Sequence, residues 1–210
     1  MAITNYTNLQ TAIADFLNRD DLGAVIPTFI QLAEAHMQRE IRHWKMEKRA
    51  TGQQSGGDRY MQLPNDWAET IRFTIPANGT SAVTLTSRAA MADIRAKNED
   101  VSTVIPYYYT HVDSQFELYP TPVETTDFEL MYYQKIPSLD ASTTTNWLLE
   151  DAPDVYLYGA LLHSAPYLAE DTRVTVWAQM YSAAVQNLNS ASEQARYSGS
   201  GMTLKVRGLG

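Results

Sequence analysis

The chain has 210 residues, 44% hydrophobic and 10% aromatic, with no cysteine and a net charge of -8 at pH 7. This apolar content suffices for one good core or two small ones and excludes disorder over most of the length. The missing cysteines exclude disulfides, thiolate metal sites and a cysteine nucleophile, and the acidic balance supplies no global positive field to gather phosphates.

From the start of the chain, Thr7, Asn8, Leu9 and Gln10 have the form of a capping box, and Leu9, Ile13, Phe16 and Leu17 follow at helical spacing. They predict a helix to about Arg19, ended by Asp20, Asp21 and Gly23. Pro27 suits the first turn of a second helix, whose apolar stripe runs through Ile26, Phe29, Ile30, Ala33, Met37, Ile41 and Trp44. The two helices should pair as a hairpin. Gly52, Gly56 and Gly57 then mark a loop, and the texture turns to β. Strands are expected at 60–63, 69–75, 82–86, 107–112, 115–119 and 128–136, with Asp113-Ser114 as a tight hairpin turn. Ser87 should cap a short helix to Ala96.

The segment 146–189, NWLLEDAPDVYLYGALLHSAPYLAEDTRVTVWAQMYSAAVQNLN, reads as two consecutive helices. Glu150, Asp151 and Asp154 surround the positive end of the first, whose opening turn holds Pro153 and which stops or kinks near Pro166. The second starts near Asp171 and places Val174, Trp177, Ala178, Tyr181, Val185, Leu188, Ala191 and Ala195 on one face. The expected fold is α+β, mainly a helical bundle of about four helices with an inserted antiparallel β-rich domain. The expected organisation is an N-terminal helical hairpin over 1–50, a β-rich insertion over 51–145, a C-terminal hairpin over 146–198 that packs on the first, and a flexible tail over 199–210.

The pattern PDVYLYGALLHSAPYL followed by a Trp-containing, Ala-rich helix resembles the C-terminal helical pair of head-to-tail adaptor, or connector, proteins of short-tailed bacteriophages. The likeness extends to IADFLNRDDL at 13–22, IPTFIQLAE at 26–34, LPNDW at 63–67 and FELYPTP at 116–122. It implies a structural virion protein at the head-to-tail junction, forming a ring of typically twelve copies below the portal protein. Its expected partners are the portal, tail or nozzle proteins and further copies of itself, and DNA passes through the extended channel without tight binding. It implies no cofactor and no enzyme activity. The chain has no run near the roughly 18 apolar residues of a membrane span and no signal-peptide pattern, so no membrane partner and assembly in the host cytoplasm are expected.

Three groups of residues are candidates for the contacts. Arg39, Arg42, Lys45, Lys48 and Arg49 cluster in an acidic chain and could face an acidic portal surface, or form a solvated helix face braced by Glu40 and Glu47. In the tail, Met202, Leu204 and Val206 alternate with Thr203, Lys205 and Arg207, a strand pattern that could add to the portal or to an adjacent subunit, or simply fray. Tyr107, Tyr108, Tyr109, Tyr132 and Tyr133 lie in the β region, where alternation sends some rings outward, and tyrosine suits subunit interfaces as well as cores.

Reactive chemistry has weaker support. His36, Glu40 and His43 have i, i+4 and i+7 spacing, but the pattern is not HExxH and no second carboxylate is evident for a metal. His163 and Ser164 diverge by about 100 degrees on a helix and cannot form a dyad. An acid pair drawn from Glu150, Asp151 and Asp154 would make a tail-associated peptidoglycan-degrading protein, and the tyrosines a carbohydrate-binding one. These stand as the alternative to an adaptor.

Overall fold

A computed structural model describes residues 2–76, 82–97, 105–168 and 172–198. The described elements are α1 (Tyr6–Leu17), α2 (Ile26–Glu40), β1 (Glu47–Gln54), β2 (Tyr60–Gln62), β3 (Trp67–Thr74), β4 (Thr84–Leu85), α3 (Arg88–Lys97), β5 (Tyr108–Val112), β6 (Gln115–Tyr119), β7 (Thr126–Gln134), α4 (Trp147–Asp151), α5 (Pro153–Leu168) and α6 (Val174–Tyr197). They fall into two compact units, Met1–Lys45 with Ile136–Gly210 and Met46–Lys135.

The expected bundle of about four helices with an antiparallel insertion is not the fold found. Among the described residues the chain has six α-helices and two sheets in a mixed α+β arrangement. One reason is Pro153: the residue before a proline is disfavoured in the helical region, and Ala152 sits at φ -141 and ψ 66, so α4 and α5 are separate helices. Another is that the second sheet includes a parallel pair, β4 with β5.

In the first unit, α5 is central and packs against α1, α2, α4 and α6. Its sequence is apolar nearly all round, which suits a helix enclosed by others. Gly159 lets the neighbours close in, because a Cβ there would stand 3.0 Å from Met37 Cε and 3.2 Å from Tyr181 Cε2. Helix α5 continues to Leu168 with Pro166 inside its last turn, where the proline leaves the Leu162 carbonyl without its intrahelical donor. The cap of α1 is Asn5 rather than Thr7: its side chain accepts the Asn8 N–H at 2.8 Å, and Asn18 closes the helix at φ 53. Ser87 does cap α3, accepting the Ala90 N–H at 3.2 Å.

Helix α2 stops at Glu40, short of the expected stripe end at Trp44. The backbone turns extended at Ile41, which is fully buried, and side chains of α6 bind the polar groups thus released. Asn189 Oδ1 accepts the Arg42 N–H at 3.2 Å, its Nδ2 donates to Glu40 O at 3.3 Å, and Ser192 Oγ accepts the Trp44 N–H at 2.9 Å.

The second unit holds sheets ordered β1-β7-β3 and β2-β6-β5-β4. Phe73, Leu130 and Tyr132 from one sheet and Met61, Tyr109, Phe116 and Leu118 from the other share one core. Asp113, at φ 54, makes the two-residue turn between β5 and β6. Strand β1 stands where a glycine-marked loop was expected. Its sequence EKRATGQQ has little intrinsic β character, and its eight residues are held by continuous pairing with β7.

Candidate assembly interface

The five basic residues do not share a helix face. Arg39 is exposed in the last turn of α2, while Arg42 lies beyond the helix and directs Nη1 to the carbonyls of Gln38 and Ile41 at 3.1 and 2.7 Å. Lys45 pairs with Asp151 at 2.5 Å in the first unit. In the second unit Lys48 pairs with Asp66 at 2.6 Å and Arg49 with Glu129 at 2.5 Å. Lys45, Lys48 and Arg49 are therefore met by carboxylates of their own chain. All three pairs are exposed or half-exposed, so water and salt screen them.

Burial draws Asp66 upward, but hydrogen bonds from Lys48 and from Tyr132, whose hydroxyl donates at 2.9 Å, outweigh it and hold the carboxyl below its ordinary value. Glu129 is likewise lowered, first by its hydrogen bond from Arg49.

The tyrosines divide by face. Tyr107 and Tyr108 are exposed and Tyr133 is half-buried, whereas Tyr109 and Tyr132 are buried in the core of the second unit. Met202, Leu204, Lys205, Val206 and Arg207 lie outside the described residues.

Two features escaped the sequence reading. The first is an open strand edge. Strand β1 pairs with β7 on one side, and its outer edge has no backbone partner among the described residues. Charged side chains often protect such edges, but Lys48 and Arg49 are held by carboxylates. By contrast β3, the other edge, carries two register shifts and is bridged by Ala82.

The second is the outward side of α6. Trp177, Tyr181, Ala184, Val185 and Ser192 are buried, while Val176, Met180, Ala183, Asn187, Ser190, Ala191 and Ala195 are exposed. Ala191 and Ala195 had been placed on the core face, where small size gave the helical periodicity no means of deciding. The signal available was charge, since residues 174–192 contain no Asp, Glu, Lys or Arg.

The histidines and carboxylates with reactive potential have structural surroundings. His43 leaves the helix and stacks on Trp147 at 5.0 Å between ring centres, and so stands apart from the His36–Glu40 pair at 3.2 Å. His36 instead stacks on Tyr181 at 5.2 Å and meets His163 edge-on at 5.6 Å. Burial, then the neighbouring His36 and Arg39, lower the His163 pKa. Among the described residues no group of three His, Cys, Asp or Glu side chains is arranged to hold a metal ion. Asp151 is engaged with Lys45, and Glu150 Oε1 accepts from Thr145 at 3.0 Å.

The described residues thus present two folded units, basic side chains tied to carboxylates of the same chain, an open strand edge and an uncharged helix face. The SU10 adaptor protein family matches residues 4–205, and the chain belongs to that family. It is a phage head-tail adaptor, a structural component of the virion that associates with portal and tail proteins. Among curated proteins, none matches the chain. No described helix is long and apolar enough to cross a membrane.

Proposed function

We propose that the protein forms a ring of twelve copies below the portal, extends the DNA channel and presents a platform to the tail or nozzle proteins, after assembly in the host cytoplasm. The family match over nearly the whole chain carries this reading. It acts by geometry rather than by catalysis and uses no cofactor. The net charge of -8 supports a channel role, because a wall that DNA slides past must not hold phosphates.

In this reading Arg39, Arg42, Lys45, Lys48 and Arg49, with the outward Tyr107, Tyr108 and Tyr133, contribute to contacts with portal or neighbouring subunits. The tail 199–210, through Met202, Leu204, Lys205, Val206 and Arg207, docks on the portal or on an adjacent copy. Strand addition suits its alternating sequence, and deletion of 199–210 should weaken portal binding. Unchanged binding would leave the tail a frayed terminus.

Mixing the purified chain with its portal protein and viewing the product by negative-stain microscopy tests the reading as a whole. The chain alone should be monomeric or weakly associated, and rings of twelve should form on the portal. No ring on the portal would overturn the proposal. Tight, salt-resistant binding of duplex DNA in a gel-shift assay would overturn the channel role.

A further inference from the structure

On the ring reading above, we propose that the tail segment 202–207 of one copy adds as a strand to the open edge of β1 in the next copy. The edge is uncovered because side chains of β1 lean away from it. Arg49 reaches Glu129, and Gln53 Nε2 donates to Asp127 Oδ1 at 2.9 Å; both acceptors belong to β7, on the paired side of β1. Lys48 reaches Asp66, which also binds the Tyr132 hydroxyl of β7. The eight residues of β1 pair with β7 in continuous register. Among the described strands the other outer edges offer less, since β3 has two register shifts, β2 has three residues and β4 has two.

Length and alternation select the occupant. Segments 77–81, 98–104 and 169–171, also outside the described residues, are shorter than the edge, whereas 199–210 has twelve residues. In it Met202, Leu204 and Val206 alternate with Thr203, Lys205 and Arg207. Both sides of the sheet suit that alternation. Toward the core β1 carries the small Ala50 and Gly52, and a Cβ at Gly52 would stand 2.8 Å from Phe128 Cζ. Ala50 and Phe128 are half-buried at the margin of the core, where Met202, Leu204 and Val206 supply further apolar cover. On the opposite side Glu47, Glu69, Asp127 and Glu129 outnumber Arg49 and Arg72. A groove of about 370 Å³ there is lined in part by Thr51, Gln53, Asp127 and Glu129, and Lys205 and Arg207 of the added strand face it.

The donor is a second copy because one chain carries both halves of the contact. The tail has two cations and no Asp or Glu, in a chain of net charge -8, so it is complementary to other copies of that chain. A ring joins two different patches, and tail and edge are such a pair, whereas a tail returned to its own β1 covers the edge and links nothing. Six residues of strand span about 20 Å, and fixing them costs conformational entropy. The pairing is therefore weak between free copies and forms where the portal holds them side by side.

The lack of native cysteine makes a clean test possible. Thr203→Cys is placed in a size-tagged chain, and Thr51→Cys or Gln53→Cys in an untagged one, so that each chain carries a single thiol. Mixed chains are assembled on purified portal and treated with a bis-maleimide of about 8 Å, the diagonal reach between neighbouring strands. The expected product is the tagged–untagged dimer, dependent on portal. Rings that yield no mixed dimer, or only links from tail to portal, overturn the tail–β1 contact and leave the ring reading standing. A second measurement needs no thiol: residues 48–54 of wild-type chains should gain protection from hydrogen exchange on joining a portal ring. A tail carrying Leu204→Pro and Lys205→Pro loses a pairing N–H in either register and should not give that gain. No gain in wild-type rings, or the same gain with both tails, overturns the contact. Failure of the wild-type chain to form rings overturns both the contact and the ring reading.

Discussion

The hydroxyl of Ser192, fully buried on α6, accepts the backbone N–H of Trp44 at 2.9 Å. Asn189, three residues earlier on the same helix, binds Glu40 O and the Arg42 N–H. Together they hold the chain in its extended course after α2. Ser192→Ala should cost about 1–2 kcal/mol, since it strands a backbone donor, and Asn189→Ala a similar amount. Urea unfolding should show both losses, with more local protease cleavage around Trp44. Unchanged midpoints would mean that packing of Ile41 alone sets the course.

These same contacts explain how far the fold could be read from sequence. Helices with a strong 3.6-residue apolar period, such as α1 and the start of α2, and strands with clear alternation, such as β5 and β6, announce themselves locally. The end of α2 and the whole of β1 do not. One is set by Asn189 and Ser192, nearly 150 residues away in sequence, and the other by its ladder with β7. The basic cluster was legible as composition, but its ion pairs with Asp66, Glu129 and Asp151 depend on tertiary placement. The family likeness carried the functional class, whereas the outward side of α6 escaped because helical periodicity cannot rank small residues such as Ala191 and Ala195.

Glu34 is a buried carboxylate that binds the segment after β7 to α2 and α5. It accepts the Leu139 N–H at 2.7 Å and the Tyr156 hydroxyl at 3.2 Å, while Asn146 Nδ2 donates to the Tyr156 oxygen at 2.7 Å. Glu34→Ala leaves the Leu139 donor without its acceptor and should cost about 2–4 kcal/mol, with Tyr156→Phe costing about 1–2 kcal/mol. Equilibrium unfolding of the two variants gives the comparison, and equal losses would contradict the ranking.

Burial raises the Glu34 pKa, against the hydrogen bonds from Leu139, Tyr156 and Ser138. The folded state thus holds the Glu34 proton more tightly than the unfolded state. Its contribution is fully present below the ordinary glutamate range, about 4.3, and is lost as pH rises through the raised folded value. The stability difference between wild type and Glu34→Gln should therefore fall over that window, as read from urea midpoints at a series of pH values. A difference that grows with pH would show that the fold favours the carboxylate.

At Gly159, α5 lies close against both α2 and α6. An added methyl meets Met37 Cε at 3.0 Å, Tyr181 Cε2 at 3.2 Å and Ala33 Cβ at 3.3 Å; the methionine end can move, but the Ala33 Cβ is fixed to α2 and the Tyr181 ring is buried. Gly159→Ala should therefore cost about 1–2 kcal/mol, the crowding outweighing the helix propensity gain. Gly159→Val adds bulk that one flexible side chain cannot absorb and should cost about 3 kcal/mol or more. Thermal melts of the two variants separate these outcomes, and a tolerated valine would show that the three helices pack more loosely.

Lys45 lies within the proposed portal contact and is already paired with Asp151 at 2.5 Å. Reversal of Lys45 alone changes two things, the outward charge and the internal pair, so its effect on portal binding is ambiguous. The exchange Lys45→Asp with Asp151→Lys keeps an opposite-charge pair and the net charge while moving the cation to α4. If the portal recognises the cation at position 45, the single and the exchanged variants should both bind portal about tenfold more weakly, about 1.4 kcal/mol. Full recovery by the exchange would assign Lys45 to holding its own chain together. Binding measured by pull-down on immobilised portal distinguishes the two, with the exposed pair expected to leave the melting temperature nearly unmoved.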